Sequence, residues 1–282
     1  MNIFTEKKQI QNYLKPLKNK RFSIGFVPTM GALHQGHLSL VKEALQHNDY
    51  VVVSIFVNPT QFDNATDLKN YPRTLERDTE LLETLSGNLV IYAPEVSDLY
   101  GDNAKSEQFN FDGLEFEMEG RFRQGHFDGV GTIVKRLFEI VLPDHAYFGQ
   151  KDFQQLAIIK KLVEKHKLPL TVHGCPIHRE ENGLALSSRN ERLKSDYKEA
   201  APFIYKTLKD AKKQFGTKSA KTVTEWVEKE FRNHDLLKLE YFIIADEDTL
   251  KTVNRKSETK TYRAFIAVYA DDIRLIDNIA LN

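Results

Sequence analysis

The stretch that decides the fold is Pro28-Thr29-Met30-Gly31-Ala32-Leu33-His34-Gln35-Gly36-His37. It follows residues 22–27, an apolar run that predicts a buried strand ending at the proline, and it leads into a helical period of apolar residues from Leu38. A strand, a glycine-containing turn and a helix start often bind anions, because helix-start amides are unpaired and the helix dipole favours negative charge. Gly31 and Gly36 would let a ligand approach the backbone closely. The stretch therefore predicts an anion site at the end of a strand.

Two histidines lie within this predicted site. His34 and His37 are three residues apart, so on a helical turn they would lie side by side and face one ligand. A helix N-terminus disfavours cations, so a polyphosphate that supplies the countercharge explains two imidazoles there better than the dipole does. The alternatives are surface or core histidines and a metal pair, but the single cysteine is Cys175 and no zinc-type spacing occurs. A dinucleotide fingerprint and a Walker A loop are also absent from the sequence.

Outside this stretch, strand and helix patterns alternate. Strands are predicted at about residues 22–27, 50–57, 88–92, 145–148 and 170–173, and helices at about residues 3–18, 37–46, 75–85, 130–141 and 153–166. Residues 95–128 are expected to be irregular, with room for short strands. The alternation predicts βαβ units and a parallel sheet, in which ligands bind outside the carboxyl ends of the strands. The loops that start at Pro28, Asn58 and Gly149 should therefore converge on one site.

The pattern changes after about residue 190. Helices are predicted at about residues 195–214 and 221–231, followed by strands at about residues 238–245, 262–270 and 273–277. We therefore predict an α/β protein with two domains. Residues 1–177 are expected to form a Rossmann-like parallel sheet with helices on both faces, and this domain carries the predicted anion site. Residues 178–282 form a smaller α+β domain that acts as a lid.

Composition narrows the classes of partner. Lys plus Arg equals Asp plus Glu, at 40 each, so the chain has no overall field to recruit nucleic acid or a membrane. One cysteine excludes an internal disulfide and favours the reducing cytoplasm. The first residues do not read as a signal peptide, and no stretch approaches the apolar length of a spanning helix. We expect a cytoplasmic protein that acts on small molecules.

Two further stretches suit phosphate oxygens. Gly149-Gln150-Lys151-Asp152 places a lysine at a strand end, although a solvated loop with an aspartate N-cap would look the same. Leu186-Ser187-Ser188-Arg189 combines two hydroxyls with a guanidinium after a glycine turn, and its alternative is a serine-rich helix cap.

Neutral amides and one arginine are the candidates for binding a co-substrate. Asn58 and Gln61 would orient the hydroxyls of a ligand without adding charge, unless Asn58-Pro59 is simply a turn. Arg123 is either an anion ligand or a loop residue. The helix after Tyr71-Pro72-Arg73-Thr74 carries acidic residues up to Asp78 that could approach Mg²⁺, but no residue is assigned to a metal.

Several of these stretches resemble known signatures. His34-Gln35-Gly36-His37 resembles the His-x-Gly-His signature of the nucleotidyltransferase and class I aminoacyl-tRNA synthetase superfamily, and Leu186 to Arg189 resembles its second, flexible-loop signature. The fuller stretch from Pro28 to His37 resembles the pantoate–β-alanine ligase (pantothenate synthetase) family. The resemblance covers about residues 22–192, with these stretches in family order.

The resemblance implies an amide-forming ligase. Its reaction is the ATP-dependent condensation of pantoate with β-alanine to pantothenate through pantoyl adenylate, with release of AMP and pyrophosphate. It also implies Mg²⁺ with the ATP and a homodimer. By the same resemblance, the catalytic residues are His34, His37, Lys151, Ser187, Ser188 and Arg189, and His37 is a proton donor to the phosphates.

The resemblance also assigns the binding residues. ATP is bound by Met30, Gly31, Ala32, Leu33, His34, Gln35, Gly36, His37, Gly149, Gln150, Lys151, Asp152, His178, Leu186, Ser187, Ser188 and Arg189. Pantoate is bound by Gln61 and Gln155, and Gln61 also binds β-alanine, with Asn58 and Arg123 as further substrate candidates.

Two other classes stay open from the residues alone. An enzyme that transfers adenylyl to a phosphorylated acceptor should offer its acceptor more basic residues than the neutral Asn58 and Gln61. A catalytically silent nucleotide sensor could keep the glycines, but it would have little need of His37, Lys151 and Arg189 together.

Overall fold

A computed structural model describes residues 1–62 and 65–282 of the chain. The chain divides into two compact units. The first contains Met1–Gln150 and Gln155–Pro176, and the second contains Lys151–Gln154 and Ile177–Asn282. In the part of the chain that is described, no helix is both long and apolar enough to cross a membrane.

The chain up to Cys175 alternates strands and helices. In order these are β1 (Asn2–Phe4), α1 (Lys7–Asn19), β2 (Ile24–Thr29), α2 (Gln35–His47), β3 (Tyr50–Ile55), α3 (Ala65–Asn70), α4 (Leu75–Glu83), β4 (Leu89–Tyr92), α5 (Val96–Tyr100), α6 (Met118–Phe122), α7 (His126–Val141), β5 (His145–Gly149), α8 (Phe153–His166) and β6 (Thr171–Cys175). Short 3₁₀ turns lie at Pro59–Gln61, Leu114–Phe116 and Gln150–Asp152.

The six strands of the first unit form one parallel sheet in the order β1-β4-β3-β2-β5-β6. Val51, Val52 and Val53 in β3 are fully buried, as expected of a strand covered on both faces. The chain moves outward from β2 to β3 and β4, then returns to place β5 on the other side of β2. This reversal between β2 and β5 is the place where doubly wound sheets bind their ligands.

Strands β2 and β5 separate before their carboxyl ends. All six residues of β2 are paired with β3, but only Gly25 and Phe26 are paired with β5. The prediction that the first strand stops at Pro28 was wrong, because β2 continues to Thr29. Even-numbered residues of β2 face β5, as the bond from Asp144 N to Ile24 O (2.9 Å) indicates. The nitrogen of Pro28 therefore faces β5 beyond the paired residues, where its missing hydrogen costs no ladder bond.

Three other local predictions were wrong. Residues 2–4 form β1 beside β4 rather than the start of a helix. Residues 95–128, all of which are described, contain short helices and no strand. The single helix predicted at 195–214 is divided at Pro202, which has no amide hydrogen to continue the helix before it.

The second unit has the α+β composition that the sequence predicts. Its elements are α9 (Ser195–Ala200), α10 (Phe203–Phe215), α11 (Ala220–Arg232), β7 (Leu237–Asp246), β8 (Tyr262–Ala270) and β9 (Ile273–Ala280), with a 3₁₀ turn at Ser188–Arg192. The strands form an antiparallel sheet in the order β7-β8-β9. Leu208 of α10 and Val227 of α11 are fully buried in one core with Ile266 of β8. The fold class, a parallel Rossmann-like sheet plus a small α+β unit, is confirmed.

Candidate active site at the carboxyl end of strand β2

The loop after β2 adopts backbone conformations that need support. Gly31 has φ +82° and Ala32 has φ +49°, and the second of these is uncommon for a residue with a side chain. The Thr29 hydroxyl accepts a hydrogen bond from Gly31 N (3.2 Å) and donates one to Ser54 O (2.7 Å). The turn is thereby tied to the neighbouring strand β3.

A buried carboxylate holds the rest of this loop. Asp78 in α4 is fully buried, and its Oδ2 and Oδ1 accept hydrogen bonds from Ala32 N (2.9 Å) and Leu33 N (2.8 Å). The Thr74 hydroxyl donates a third bond to Oδ1 (3.2 Å). The sequence indicates acidic residues up to Asp78 as possible neighbours of Mg²⁺. In the structure this carboxylate is instead committed to loop amides, and this anchoring role was missed.

The two histidines cap the helix that they begin. His34 Nδ1 accepts a hydrogen bond from Gly36 N (3.1 Å), and His37 Nδ1 accepts one from His34 N (3.3 Å). This is a reciprocal capping box in which imidazole nitrogens replace the usual oxygens. The expectation of unpaired helix-start amides was therefore wrong for His34 and Gly36, whose amides the imidazoles occupy.

These capping hydrogen bonds determine which nitrogen of each imidazole ring carries the hydrogen. A ring nitrogen that accepts from an amide carries no hydrogen, so each neutral imidazole has its hydrogen on Nε2 and is a donor there. The two rings lie together, with centroids 4.1 Å apart. The pair therefore has two Nε2–H donors held side by side at the end of strand β2.

A second polar cluster brings Met30, Asn58 and Gln61 together. Asn58 is almost fully buried, and its Nδ2 donates to Gln61 Oε1 (3.2 Å) and Gly129 O (3.1 Å). Gln61 Nε2 lies 2.7 Å from Met30 Sδ. Because Gln61 Oε1 accepts from Asn58, the orientation of the Gln61 amide is set by Asn58.

Two hydroxyls complete the bonding of Asn58. Its Oδ1 accepts from Tyr100 Oη (2.7 Å) and from Thr60 Oγ1 (3.2 Å). Burial raises the pKa of Tyr100, so this phenol stays protonated and remains a donor at neutral pH. The Asn58 amide thus donates two hydrogen bonds and accepts two within the protein, which is the number that a side-chain amide usually makes.

Arg123 lies beside the same cluster. Its guanidinium contacts Gln61 O (3.4 Å) and His126 Nε2 (3.3 Å). Arginine has no acceptor, so His126 accepts at Nε2 and donates from Nδ1 to Gln61 O, 2.8 Å away. The structure therefore groups Arg123 with Gln61 through the backbone of Gln61.

Removing the Tyr100 hydroxyl tests this orientation. We expect Tyr100→Phe to raise the KM for the acid substrate roughly 2- to 10-fold, the range of one typical hydrogen bond of about 0.5–1.5 kcal/mol. The KM for the nucleotide should change little. Tyr92→Phe is the matched control, because Tyr92 is a buried tyrosine that donates to Asp98 (2.9 Å) instead. Equal kinetics in the two variants would contradict the role given to Tyr100.

The remaining candidates are divided between the two units. Gly149, Gln150 and the half-buried Gln155 belong to the first unit, and Gln150 Nε2 donates to Gly174 O (3.3 Å). The second unit contains Lys151, Asp152, His178, Leu186, Ser187, Ser188 and Arg189.

Within the second unit, Lys151 and the serine stretch have defined local structure. The Lys151 ammonium is mostly buried and lies 3.9 Å from the exposed Asp152 carboxylate. Leu186 N donates to His178 O (3.0 Å), which closes a hairpin just before the serines. Ser187 then caps the following 3₁₀ turn by accepting from Arg189 N (3.2 Å).

The site has the donors for handling anions but no evident nucleophile. Burial raises the pKa of the Cys175 thiol to about 11, so it stays protonated. Among the side chains that the structure describes, no group of three or more His, Cys, Asp or Glu residues could hold a metal ion. The arrangement suits a reaction in which charge moves onto a leaving group and no covalent enzyme intermediate forms.

Comparisons with known proteins agree with this chemistry. The family model for pantoate–β-alanine ligase matches residues 2–280. The chain is 60% identical to a pantothenate synthetase of Flavobacterium psychrophilum over 281 residues, with all of both chains covered. It is 58% identical to one of Christiangramia forsetii over 282 residues, again with complete coverage of both chains.

Solved structures are similar over the whole chain. A pantothenate synthetase from Thermus thermophilus has a TM-score of 0.91 and 37% identity, with 100% of this chain and 99% of that chain covered. A Francisella tularensis pantoate–β-alanine ligase, solved in complex with β,γ ATP and β-alanine, has a TM-score of 0.81 and 35% identity, with 100% and 98% covered.

Proposed function

We propose, from the premise that the chain belongs to the pantoate–β-alanine ligase family, that the loop after β2 carries the adenylation half of the reaction. The chain is an ATP-dependent ligase that condenses pantoate with β-alanine to pantothenate through pantoyl adenylate. In the first step a carboxylate oxygen of pantoate bonds to the α-phosphorus, and the bond from that phosphorus to the β-phosphate oxygen breaks. Pyrophosphate leaves with the electron pair.

The observation that carries the proposal is the reciprocal cap of His34 and His37. It keeps both Nδ1 atoms as acceptors and makes both Nε2–H groups donors. As the α–β bond breaks, negative charge moves onto the β-phosphate oxygens, and donors already in place stabilise that charge at no cost in reorganisation. We assign this task to His34 and His37, with Met30 to Gln35 forming the loop that receives the nucleotide.

Pantoate is proposed to bind at the polar cluster of Met30, Asn58 and Gln61. Gln61 and Gln155 contact the acid, and Gln61 also contacts β-alanine. Asn58 has its bonds to the protein, so its proposed role is to aim the Gln61 amide. Arg123 is proposed to act through the Gln61 backbone that it contacts.

Residues of the second unit are proposed to bind ATP, as the resemblance implies. Lys151, Ser187, Ser188 and Arg189 would donate to phosphate oxygens, and the lysine and arginine would add positive charge. Asp152, His178 and Leu186 complete the set from this unit, with His178 acting through its backbone, and Gly149 and Gln150 of the first unit are also proposed to bind ATP. Mg²⁺ is proposed to arrive with ATP, bound to the phosphate oxygens, and would neutralise part of their charge.

The second step needs only that an amine be held against the adenylate. The β-alanine nitrogen bonds to the acyl carbon, the bond from that carbon to the phosphate oxygen breaks, and AMP leaves. The nitrogen of the new amide then loses its extra proton to water. We further propose a cytoplasmic homodimer and a lid role for residues 178–282, which would protect the adenylate from water. The single cysteine, Cys175, is consistent with the cytoplasm.

Pyrophosphate exchange tests the first step alone. With pantoate present and β-alanine omitted, we expect labelled pyrophosphate to be incorporated into ATP, because pantoyl adenylate forms reversibly. Lys151→Ala should slow this exchange. Exchange with a different carboxylic acid but none with pantoate would contradict the proposal that pantoate binds at the polar cluster around Gln61. The proposed mechanism, adenylation of a carboxylate, would still hold. Exchange at the parent rate in Lys151→Ala would contradict the role of Lys151.

A further inference from the structure

Two consecutive polar residues of strand β9 are buried on opposite faces of the small sheet. Asp277 is 4% exposed and Asn278 is 2% exposed, although strand side chains normally alternate between core and solvent. Both positions lie outside the part of the chain in which the sequence indicates functional residues. Buried polar groups require hydrogen-bond partners. Here the partners connect each residue to a segment that is proposed to bind ATP.

Asn278 holds the backbone of Lys151. Its Nδ2 donates to Lys151 O (2.9 Å), and its Oδ1 accepts from Arg263 (2.6 Å). Arginine can only donate, so the amide has one possible orientation and its Nδ2 must face the carbonyl. Arg263 is fixed in turn by Glu247 (2.8 Å) and by stacking over the Phe153 ring at 4.1 Å.

Asp277 holds the hairpin that leads to the serine stretch. Arg179 donates to Asp277 Oδ2 (2.6 Å) and Oδ1 (2.9 Å) as a two-pronged pair. The same guanidinium donates to Gly183 O (3.1 Å) at the hairpin turn, where Gly183 has φ +96°. It also lies 3.6 Å above the Tyr205 ring. Asp277 therefore determines where Arg179 holds this turn.

We propose that Asp277 and Asn278 are positioning residues for ATP. Asn278 places Lys151, and Asp277, through Arg179, places the hairpin that ends at Ser187 to Arg189. This inference rests on the proposed function, in which Lys151 and Ser187 to Arg189 bind the phosphates. Replacing a buried ion pair with apolar residues is often neutral for stability, so stability alone is a weak reason for this network. Its specific consequence is that two phosphate-binding segments are fixed to one rigid strand.

Asn278→Asp removes the donor to Lys151 and keeps the acceptor for Arg263. We expect the KM for ATP to rise roughly 5- to 10-fold, about the effect of one lost hydrogen bond, and the KM for pantoate to stay within about twofold. In a Lys151→Ala background, Asn278→Asp should have little further effect on the KM for ATP. Asn278 is proposed to act by placing the Lys151 side chain, and that side chain is absent from this background. If Asn278→Asp does not fold, Asn278→Ala serves in the same comparison.

The matched control is another polar pair of the same sheet. Glu240 in β7 accepts from Arg274 in β9 (2.8 Å) and from Tyr269 in β8 (3.3 Å), so these bonds stay within the sheet and lead to neither phosphate-binding segment. Glu240→Gln should lower Tm by an amount similar to Asn278→Asp without changing the KM for ATP. If Tm and the KM for ATP move together in both variants, the residues are merely structural and the proposal is overturned.

A second double-mutant cycle tests the role proposed for Asp277. Asp277→Asn should raise the KM for ATP in the parent but add little in a background in which Ser187, Ser188 and Arg189 are all replaced by alanine. Failure of the proposed function would look different from failure of this inference. If the proposed function is wrong, Lys151→Ala and Arg189→Ala will leave the rate of adenylation unchanged. If those two variants impair adenylation while the effects of Asn278→Asp and Asp277→Asn are absent or fully additive, only the positioning inference fails.

Discussion

Replacing His37 with glutamine should slow adenylate formation about 10²- to 10³-fold, the usual effect of losing one transition-state donor worth about 3–4 kcal/mol. The affinity for ATP should change little, because the donor matters most as charge moves onto the departing pyrophosphate. Rapid-quench measurement of pantoyl adenylate, with β-alanine omitted, separates this step from amide formation. The apparent affinity for β-alanine should also stay near that of the parent.

Glutamine is the informative replacement because the position has two roles. His37 Nδ1 accepts from His34 N, and a glutamine at this third helical position makes the same bond in ordinary capping boxes. The cap is therefore retained, while the rigid imidazole Nε2–H is exchanged for the NH₂ of a flexible amide, which is not held where the ring held its donor. His47→Gln is the matched control, since His47 is an exposed imidazole in the last turn of the same helix. A His37→Gln enzyme that forms adenylate at the parent rate would reduce His37 to a helix cap.

The sequence predicts the parts of the fold and of the site that depend on interactions between residues close together in the chain. A buried apolar run, a glycine turn and an apolar helical period are local patterns, and the structure has β2, the loop and α2 where those patterns lie. The tautomers of His34 and His37 depend on local bonds too. They were missed because a histidine cap is unusual, and the usual signal is serine, threonine, aspartate or asparagine.

What the sequence could not supply is the support from distant residues. Asp78 holds the loop amide of Leu33 from 45 positions away, and Asn278 holds Lys151 from 127 positions away. No helical or strand period links such residues, so only the packed chain brings them together. Asp78 and Asn278 are buried and polar, and their importance comes from what they fix in place.

The second large effect is expected at Asp78. Asp78→Asn places an NH₂ group against one of two loop amides that now meet a carboxylate oxygen. Loss of a hydrogen bond to a charged group typically costs about 1.5–3 kcal/mol, so we expect the free energy of unfolding to fall by about that amount. The loop before His34 should also shift, and a misplacement of about 1 Å can slow a reaction about 10²-fold. We therefore expect adenylate formation to slow by roughly that factor.

Unlike His37→Gln, Asp78→Asn should also weaken ATP binding, because the misplaced residues Gly31 to Leu33 form the proposed nucleotide loop itself. Urea unfolding, ATP titration and rapid-quench kinetics measure the three effects separately. Glu76→Gln is the matched control, since Glu76 is an exposed carboxylate in the first turn of the same helix. If Asp78→Asn loses stability but keeps the parent ATP affinity and adenylation rate, the loop holds its shape without the carboxylate. Asp78 would then be a structural residue of α4 only.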